Sequence, residues 1–305
     1  MDAMQMTRRC SPQRLQWLAR LSLACLLLSA SVVSMAQSGA AALRASYTAM
    51  AEQLRENQFG RPLVLDSAES PDNLNGDIYA VVEHPFASVS AALDEPAEWC
   101  DVLILHLNTK YCGVTKKAQG TEISMAVGKK FNQPLPDAYR VDFGWQPVAA
   151  TADYLEIQMQ APNGPLGTNN YRIVLQAVPV DGGRTFLHLR YSYGYGFAGR
   201  MAMKAYLATA GSDKVGFTVT GKDSSGKPQF IGGVRGVVER NTMRYYLAID
   251  AYLSALSTPA SGRLDKRLQT WFNGTERYAR QLHEMERSEY LEMKHAEYQR
   301  QQSPQ

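Results

Sequence analysis

The side chains that could act as acids, bases or nucleophiles are scattered along the sequence and form no known catalytic motif. The 305 residues contain no Gly-x-Ser-x-Gly elbow, no His-Glu-x-x-His helix and no phosphate-binding loop. His84 precedes a proline, His106 and His188 lie in predicted strands, and His283 and His295 lie in a charged C-terminal segment. Histidines in such settings are more often structural than catalytic. The sequence therefore predicts no catalytic residue, no metal site and no cofactor.

Four charged residues form two pairs in the longest segment that has a helical repeat. Arg235 and Glu239 are four residues apart, as are Arg240 and Arg244, so each pair shares one side of a helix. One interpretation is that Arg235 or Arg244 reaches a cavity and holds the carboxylate or phosphate of a ligand. Charged residues at this spacing are also common on solvated helix faces, and the solvated face is the interpretation that we favour.

The segment that carries these charges predicts a helix from Gly233 to Leu256. Apolar residues recur there at steps of three, four or seven, and Pro259 ends the helix because proline disfavours helical geometry in the residue before it. A long run of strand-like sequence precedes the helix. One long helix after many strands indicates an α+β domain in which the helix closes over one face of a sheet.

Aromatic and apolar side chains recur at every second residue in three predicted strands, so each row faces one side of the sheet. If these rows face the long helix, they enclose an apolar space ringed with phenol groups, which is typical of a ligand pocket. The same rows could equally pack against the helix as a filled core. The candidate ligand-binding residues are Tyr139, Phe143, Trp145, Ile157, Met159, Leu189, Tyr191, Tyr193, Tyr195, Arg235, Glu239, Tyr245 and Ile249.

One stretch of the chain has a recognisable order of elements. A strand from Gly76 to Glu83 is followed by a proline turn, a short helix from Phe86 to Leu93, a break at Asp94-Glu95-Pro96, and then Trp99. This order resembles the opening of the START-like superfamily, also called SRPBCC or helix-grip. The resemblance implies a curved antiparallel sheet gripping a long C-terminal helix, with a hydrophobic small molecule or lipid in a cavity between them.

The chain is predicted to have four parts, of which the resemblance covers the third. These are a leader (1–36), an N-terminal helix and arm (37–74), the START-like ligand-binding domain (75–257) and a charged helical tail (258–305). Within the arm and domain, Ser67 to Asn75 predicts a polar loop, and Phe197 to Ala210 predicts a helix that would serve as a lid. Further strands are predicted at Leu103 to Cys112, Glu122 to Val127, Tyr139 to Trp145, Tyr154 to Ala161, Tyr171 to Val180, Arg184 to Tyr195, Val215 to Thr220 and Gln229 to Ile231.

Residues 1–36 have the pattern of a secretory signal peptide. Four arginines precede an apolar run from Leu21 to Val33, which is too short to span a bilayer comfortably, and small residues precede a cleavage site after Ala36. An uncleaved anchor is the alternative. Because the leader holds these arginines and Asp2, it carries the entire net charge of +3. No basic surface remains to favour nucleic acid, and a periplasmic location is predicted.

Cys100 and Cys112 are the two cysteines outside the leader. In an oxidising compartment a lone pair at this spacing predicts a disulfide. A metal site is the competing interpretation, but two cysteines without nearby histidine partners provide too few ligands.

The tail is dense in Glu, Arg, Lys and Gln from Thr275 to Gln301 and predicts one long, mostly solvated helix, with a break at Asn273-Gly274 before it. Residues 263–301 are a candidate surface for a protein partner, or an extension packed on the domain.

These observations favour a periplasmic binding or carrier protein that encloses a hydrophobic ligand. One alternative is a pocket enzyme of cyclase or hydrolase type acting on an aromatic or isoprenoid substrate, with Tyr193, His106 or Glu239 as acid or base. The other is a cell-envelope interaction protein that acts through its helical tail.

Overall fold

A computed structural model describes residues 36–209 and 211–303. The predicted leader lies outside these residues, except for Ala36. Among the described residues, no helix is both long enough and apolar enough to cross a membrane.

Eight strands form one antiparallel sheet with the spatial order β1-β2-β8-β7-β6-β5-β4-β3. Consecutive strands are neighbours in the sheet except β2 and β3: β2 pairs with β8, and β3 lies at the opposite edge. The strands are β1 (Leu63–Glu69), β2 (Asn73–Val82), β3 (Thr109–Lys117), β4 (Gly120–Val127), β5 (Tyr139–Ala150), β6 (Leu155–Asn163), β7 (Thr168–Val180) and β8 (Arg184–Tyr195).

Helices cover both faces of this sheet, and three further helices follow at the C-terminal end of the chain. They are α1 (36–49), α2 (Ala51–Arg55), α3 (Phe86–Leu93), α4 (Pro96–Leu103), α5 (Phe197–Ala208), α6 (Gly233–Ser254), α7 (Ala260–Glu276), α8 (Ala279–Leu282) and α9 (Arg287–Gln302). The predicted α+β fold, an antiparallel sheet gripping a long helix, is confirmed by this arrangement.

Helix α6 crosses the inner face of the sheet and is enclosed on nearly every side. It packs on β1, β2 and β8, and helices α4 and α7 cover its remaining sides. Its C-terminal half is almost entirely apolar and buried, from Tyr246 to Leu253. Gly233 begins the helix with a φ of 62°, a conformation that glycine adopts without steric cost.

The opposite face of the sheet is covered in part by α1. Leu43 of α1 is buried with Val81, Val178 and Phe186 in a second, smaller core, and Tyr47 packs on Phe186 at 5.1 Å between ring centroids. Because both faces are covered there, residues 185–189 of β8 are all buried in spite of the alternation of a strand.

Four predicted elements are wrong. The interval Ser67 to Asn75 is mostly strand, because β1 and β2 pair along it as a hairpin. The interval Val215 to Thr220 does not join the large sheet. Its last residues begin β9 (Val219–Lys222), which pairs with β10 (Pro228–Phe230) as a separate two-stranded hairpin.

The predicted strand from Leu103 to Cys112 is also wrong over its first half. Helix α4 continues to Leu103, a compact turn follows over residues 104–108, and strand β3 begins at Thr109. The predicted disulfide is present, and Cys100 in α4 is bonded to Cys112 in β3. The bond therefore closes the chain on either side of this turn, which we call the 104–108 turn.

The C-terminal tail does not form one solvated helix, because the chain leaves helical geometry at Tyr278 and again at His283. Gly274 does not break the chain either; it lies within α7 and lets this helix approach Leu247 of α6. The tail packs against the domain through Trp271, whose indole N–H donates to the Arg244 carbonyl oxygen at 3.1 Å.

Helix α9 also buries two charged residues against the 104–108 turn. Lys294 donates to the carbonyl oxygens of His106 (2.7 Å) and Thr109 (2.8 Å) and to Glu297 (2.7 Å). Lys110 donates to Glu297 at 2.9 Å and to the Leu107 carbonyl oxygen at 3.0 Å, with the Met293 sulfur at 3.3 Å. We call Lys110, Lys294 and Glu297 the tail cluster.

Candidate functional site: an aromatic cavity with a cationic end

A cavity of about 280 Å³ lies between the inner face of the sheet and the N-terminal half of α6. The sheet side is formed by β4, β5, β7 and β8, and the helix side by residues 237–245. The apolar and aromatic wall consists of Met125, Val127, Val141, Phe143, Tyr171, Tyr191, Tyr193, Val237 and Tyr245.

Five aromatic rings form most of this wall and contact one another. Tyr171 and Tyr193 are stacked with 5.2 Å between ring centroids, and Tyr191 packs on Tyr245 at 5.1 Å. Phe143 meets Tyr171 edge to face at 6.3 Å. Burial raises the pKa of these four phenols, so they are neutral. The wall can therefore contact an aromatic or aliphatic ligand and offer it hydroxyl groups.

The other end of the cavity is lined by cations. Arg240 and Arg244 are 2% and 1% exposed as residues, and Lys130 reaches the same space from the β4–β5 connection. Glu284, in the segment between α8 and α9, accepts hydrogen bonds from Lys130 at 2.6 Å and from Arg244 at 2.8 Å. We call Lys130, Arg240, Arg244 and Glu284 the cavity cluster.

The cations of this cluster perturb one another. Burial, and then the neighbouring Arg244 guanidinium, lower the pKa of Lys130 to about 8. Burial alone would raise the pKa of Glu284, but Arg244 and Lys130 lower it below its usual value. Glu284 is therefore ionised at neutral pH, while Lys130 is a cation that readily gives up its proton.

His106 contributes a neutral imidazole to the cavity. Its Nδ1 accepts a hydrogen bond from the backbone N–H of Asn108 at 3.1 Å, which places the ring proton on Nε2. Burial, and then Arg244, lower the pKa of His106 well below its usual value. The Nε2 atom is buried and has no hydrogen-bond partner among the described residues. His106 therefore presents an unused N–H donor.

Helix α5 lies over the mouth of the cavity. Its inner side places Ala202, Met203 and Tyr206 in the lining. The N-terminal end of α5 approaches the turn at Gly167 so closely that a Cβ atom on Gly199 would lie 3.2 Å from the Gly167 carbonyl oxygen. The segment that was predicted to be a helical lid, Phe197 to Ala210, therefore contains a helix at the cavity mouth, Phe197–Ala208.

The structure brings four of the thirteen candidate ligand-binding residues to this cavity, namely Phe143, Tyr191, Tyr193 and Tyr245. Four others, Ile157, Met159, Leu189 and Ile249, are buried in the apolar core rather than in the cavity lining. Tyr139 is half exposed at the start of β5, and Trp145, further along that strand, packs beside the core. Tyr195 lies beyond the cavity and donates to the Ser70 carbonyl oxygen at 3.2 Å.

Arg235 and Glu239 are also absent from the cavity, because both are engaged elsewhere. Arg235 donates to the Ser67 carbonyl oxygen at 2.9 Å. Glu239 is fully buried and accepts from the hydroxyls of Ser67 and Thr218 at 2.6 Å and from the backbone N–H of Phe217 at 2.6 Å. The interpretation of this helix side as solvated is therefore wrong, since Glu239, Arg240 and Arg244 are all buried.

His188 lies on the opposite side of the sheet from the cavity. Its Nε2 atom is 2.7 Å from Asp77, and its ring stacks on Tyr79 at 4.2 Å. Burial would raise the pKa of Asp77, but hydrogen bonds from His188 and Arg190 lower it. These contacts give His188 a structural role.

Sequence reasoning missed several residues of the cavity. Tyr171 belongs to a predicted strand and could have been found by extending the row analysis to β7. Lys130 and Glu284 lie in irregular segments, where no periodicity indicates the direction of a side chain. Among the described residues, no group of three or more His, Cys, Asp or Glu side chains is placed to hold a metal ion.

The fold and the site together define an α+β helix-grip domain with an aromatic cavity that ends in cations. No protein-family model and no curated protein matches the chain. Solved structures with similar folds include norcoclaurine synthase from Thalictrum flavum, with 14% identity, 47% of this chain and 77% of that chain covered, and a TM-score of 0.29. Another is human StAR-related lipid transfer protein 5, which has 10% identity and a TM-score of 0.29. That match covers 57% of this chain and 90% of the lipid transfer protein. Identities and TM-scores this low assign no family, ligand or activity to this chain.

Proposed function

We propose that this protein binds a hydrophobic small molecule in the cavity between the sheet and helix α6. The observation that carries the proposal is the wall itself: five contacting aromatic rings leave an open space where a filled core would have none. Apolar walls with a few orienting polar groups are the usual composition of a small-molecule site.

The size of the cavity narrows the class of ligand. Small-molecule sites commonly measure about 300–1,000 Å³, and this cavity, at about 280 Å³, lies just below that range. We therefore propose a ligand with one or two rings or a single short chain rather than a two-chain lipid. Binding without chemical change is the proposed role. Of the three candidate acids or bases, Glu239 lies outside the cavity. His106 and Tyr193 line the cavity, and burial keeps both side chains neutral by lowering the pKa of His106 and raising that of Tyr193.

We further propose that the protein acts in the periplasm. The leader pattern of residues 1–36 and the Cys100–Cys112 disulfide support this location. The test is N-terminal sequencing of the protein recovered from a periplasmic extract. A chain that begins at Gln37 supports export, and an intact leader on cytoplasmic protein contradicts it.

The binding proposal is tested with N-phenyl-1-naphthylamine, a neutral aromatic probe whose fluorescence rises in apolar surroundings. We expect saturable binding of one probe per chain. Tyr193→Trp fills the cavity and is expected to weaken binding at least about tenfold, which corresponds to about 1.4 kcal/mol. Tyr139→Trp makes the same substitution outside the cavity and should leave the affinity unchanged. An absence of saturable binding, or equal losses in both variants, contradicts the proposal.

A further inference from the structure

We propose that the ligand carries an anionic group, such as a carboxylate, sulfonate or phosphate, which binds between Arg240, Arg244 and His106 at the cationic end of the cavity. This inference rests on the proposed binding function and specifies the chemistry of its ligand. It assigns the aromatic wall to the apolar part of the molecule and the cavity cluster to its charged part.

The first argument is that Arg240 is buried without a carboxylate. Within residues 36–209 and 211–303, no Asp or Glu oxygen lies within 4.0 Å of its guanidinium nitrogens, and the residue is 2% exposed. Its two hydrogen bonds are long ones to neutral acceptors, 3.2 Å to the Val215 carbonyl oxygen and 3.5 Å to the Tyr206 hydroxyl. An isolated buried charge is costly, so a partner for this cation is expected.

The second argument is that the two fully buried polar atoms without a partner at this end are both donors. Arg244 Nε and His106 Nε2 are buried and have no hydrogen-bond partner in the described part of the chain. Arginine has five N–H donors and no acceptor, and the neutral His106 ring has already used its acceptor on Asn108. A group that only accepts hydrogen bonds and carries negative charge satisfies all of these atoms together.

The third argument is the shape of the space. The donors occupy one end of a single cavity, and the stacked rings of Tyr171 and Tyr193 occupy its wall. A free inorganic anion would satisfy the donors but leave the apolar wall empty. An amphipathic molecule, with a ring or chain attached to an anionic group, fills both parts.

The experiment compares two probes that differ in one group. 8-Anilinonaphthalene-1-sulfonate has the aromatic framework of N-phenyl-1-naphthylamine with a sulfonate added. We expect calorimetry to show that the wild-type protein binds the sulfonate probe at least about tenfold more tightly than the neutral probe, at one site per chain. Arg240→Gln should remove this preference, because it lowers the affinity for the sulfonate probe far more than the affinity for the neutral probe. Arg235→Gln, on the same helix but directed to Ser67, should keep the preference.

The outcomes separate this inference from the proposed function. Equal affinities for the two probes in the wild-type protein overturn the anion site and leave the binding function standing. Binding of neither probe overturns both. A preference that persists in a folded Arg240→Gln variant also overturns the site. If that variant binds neither probe, the wild-type protein is used instead. A preference for the sulfonate probe that is lost when salt is added supports the anion site, and a preference that salt does not change overturns it.

Discussion

Two clusters of buried cations lie on either side of the 104–108 turn, and they differ in how their donors are used. In the tail cluster, the Lys294 ammonium has three oxygen acceptors, and Lys110 has two oxygens and a sulfur. Each lysine thus has one acceptor for each of its three protons. In the cavity cluster, Arg244 and Arg240 leave donors unused.

Net charge does not explain this difference, because both clusters contain more cations than carboxylates. The difference is that the tail cluster lies against backbone carbonyl oxygens, whereas the cavity cluster borders an open space. Buried polar groups with complete sets of partners stabilise one conformation, and incomplete sets mark positions where a partner from outside can bind. The tail cluster is therefore structural, and the cavity cluster is the candidate binding site.

The largest expected effect comes from breaking the tail cluster. Glu297→Gln removes the carboxylate shared by two buried lysines, and we expect it to lower the free energy of unfolding by about 3–5 kcal/mol. Urea unfolding measures this loss. Glu292→Gln makes the same change on the exposed side of α9 and should alter the stability by less than about 0.5 kcal/mol. Similar effects of both variants would mean that the tail cluster contributes little to the fold.

The matching change in the cavity cluster should affect stability and binding in opposite directions. Glu284→Gln leaves Arg244 and Lys130 without their carboxylate, and we expect the free energy of unfolding to fall by about 1–3 kcal/mol. Because the two cations then lack an anion, affinity for the sulfonate probe should rise about tenfold and bound probe should restore stability. In Glu297→Gln the probe affinity should change little. Weaker probe binding in Glu284→Gln would show that Glu284 positions the site rather than competing with the ligand.

The smallest expected effect is on the pH dependence of binding. Lys130 is surrounded by Arg240, Arg244, Glu284 and the ring of Tyr206, and its pKa is lowered to about 8. It therefore loses its charge as the pH rises through about 8, and affinity for the sulfonate probe should fall severalfold between about pH 7 and 9. The Lys130→Met variant should bind the sulfonate probe more weakly, with an affinity that does not change with pH. The affinity of the wild-type protein for the neutral probe should also be independent of pH. A pH dependence unchanged by Lys130→Met would assign the titration to another group.

The fold could be predicted well wherever periodicity was strong. Helix α3 and strand β8 begin and end at the predicted residues, and α6 differs only at its C-terminal end. The prediction failed where tertiary pairing decided the structure. Residues 104–108 have the apolar composition of a strand, but the disulfide and α9 hold them in a turn.

The site could be predicted only in part. The alternation of apolar residues shows which face of a strand a side chain lies on, but not whether that part of the strand borders the cavity. Leu189 and Tyr191 lie on the same face of β8, yet only Tyr191 lines the space. The charges of α6 were misjudged for a related reason. Spacing in sequence shows which side chains share a side of a helix, but the groups that bury that side lie at Tyr206, at residues 215–218 and in the tail.

The position of the two carboxylates along the chain has a consequence for biosynthesis. Lys110, Lys130 and Arg244 all precede their partners Glu284 and Glu297 in sequence. A nascent chain synthesised only as far as α8 would have to bury these cations before their counterions exist, so closure of the sheet over α6 is disfavoured at that stage. We expect the domain to remain open until the segment that begins at Glu284 is available to pack, because this fold is completed by its last elements.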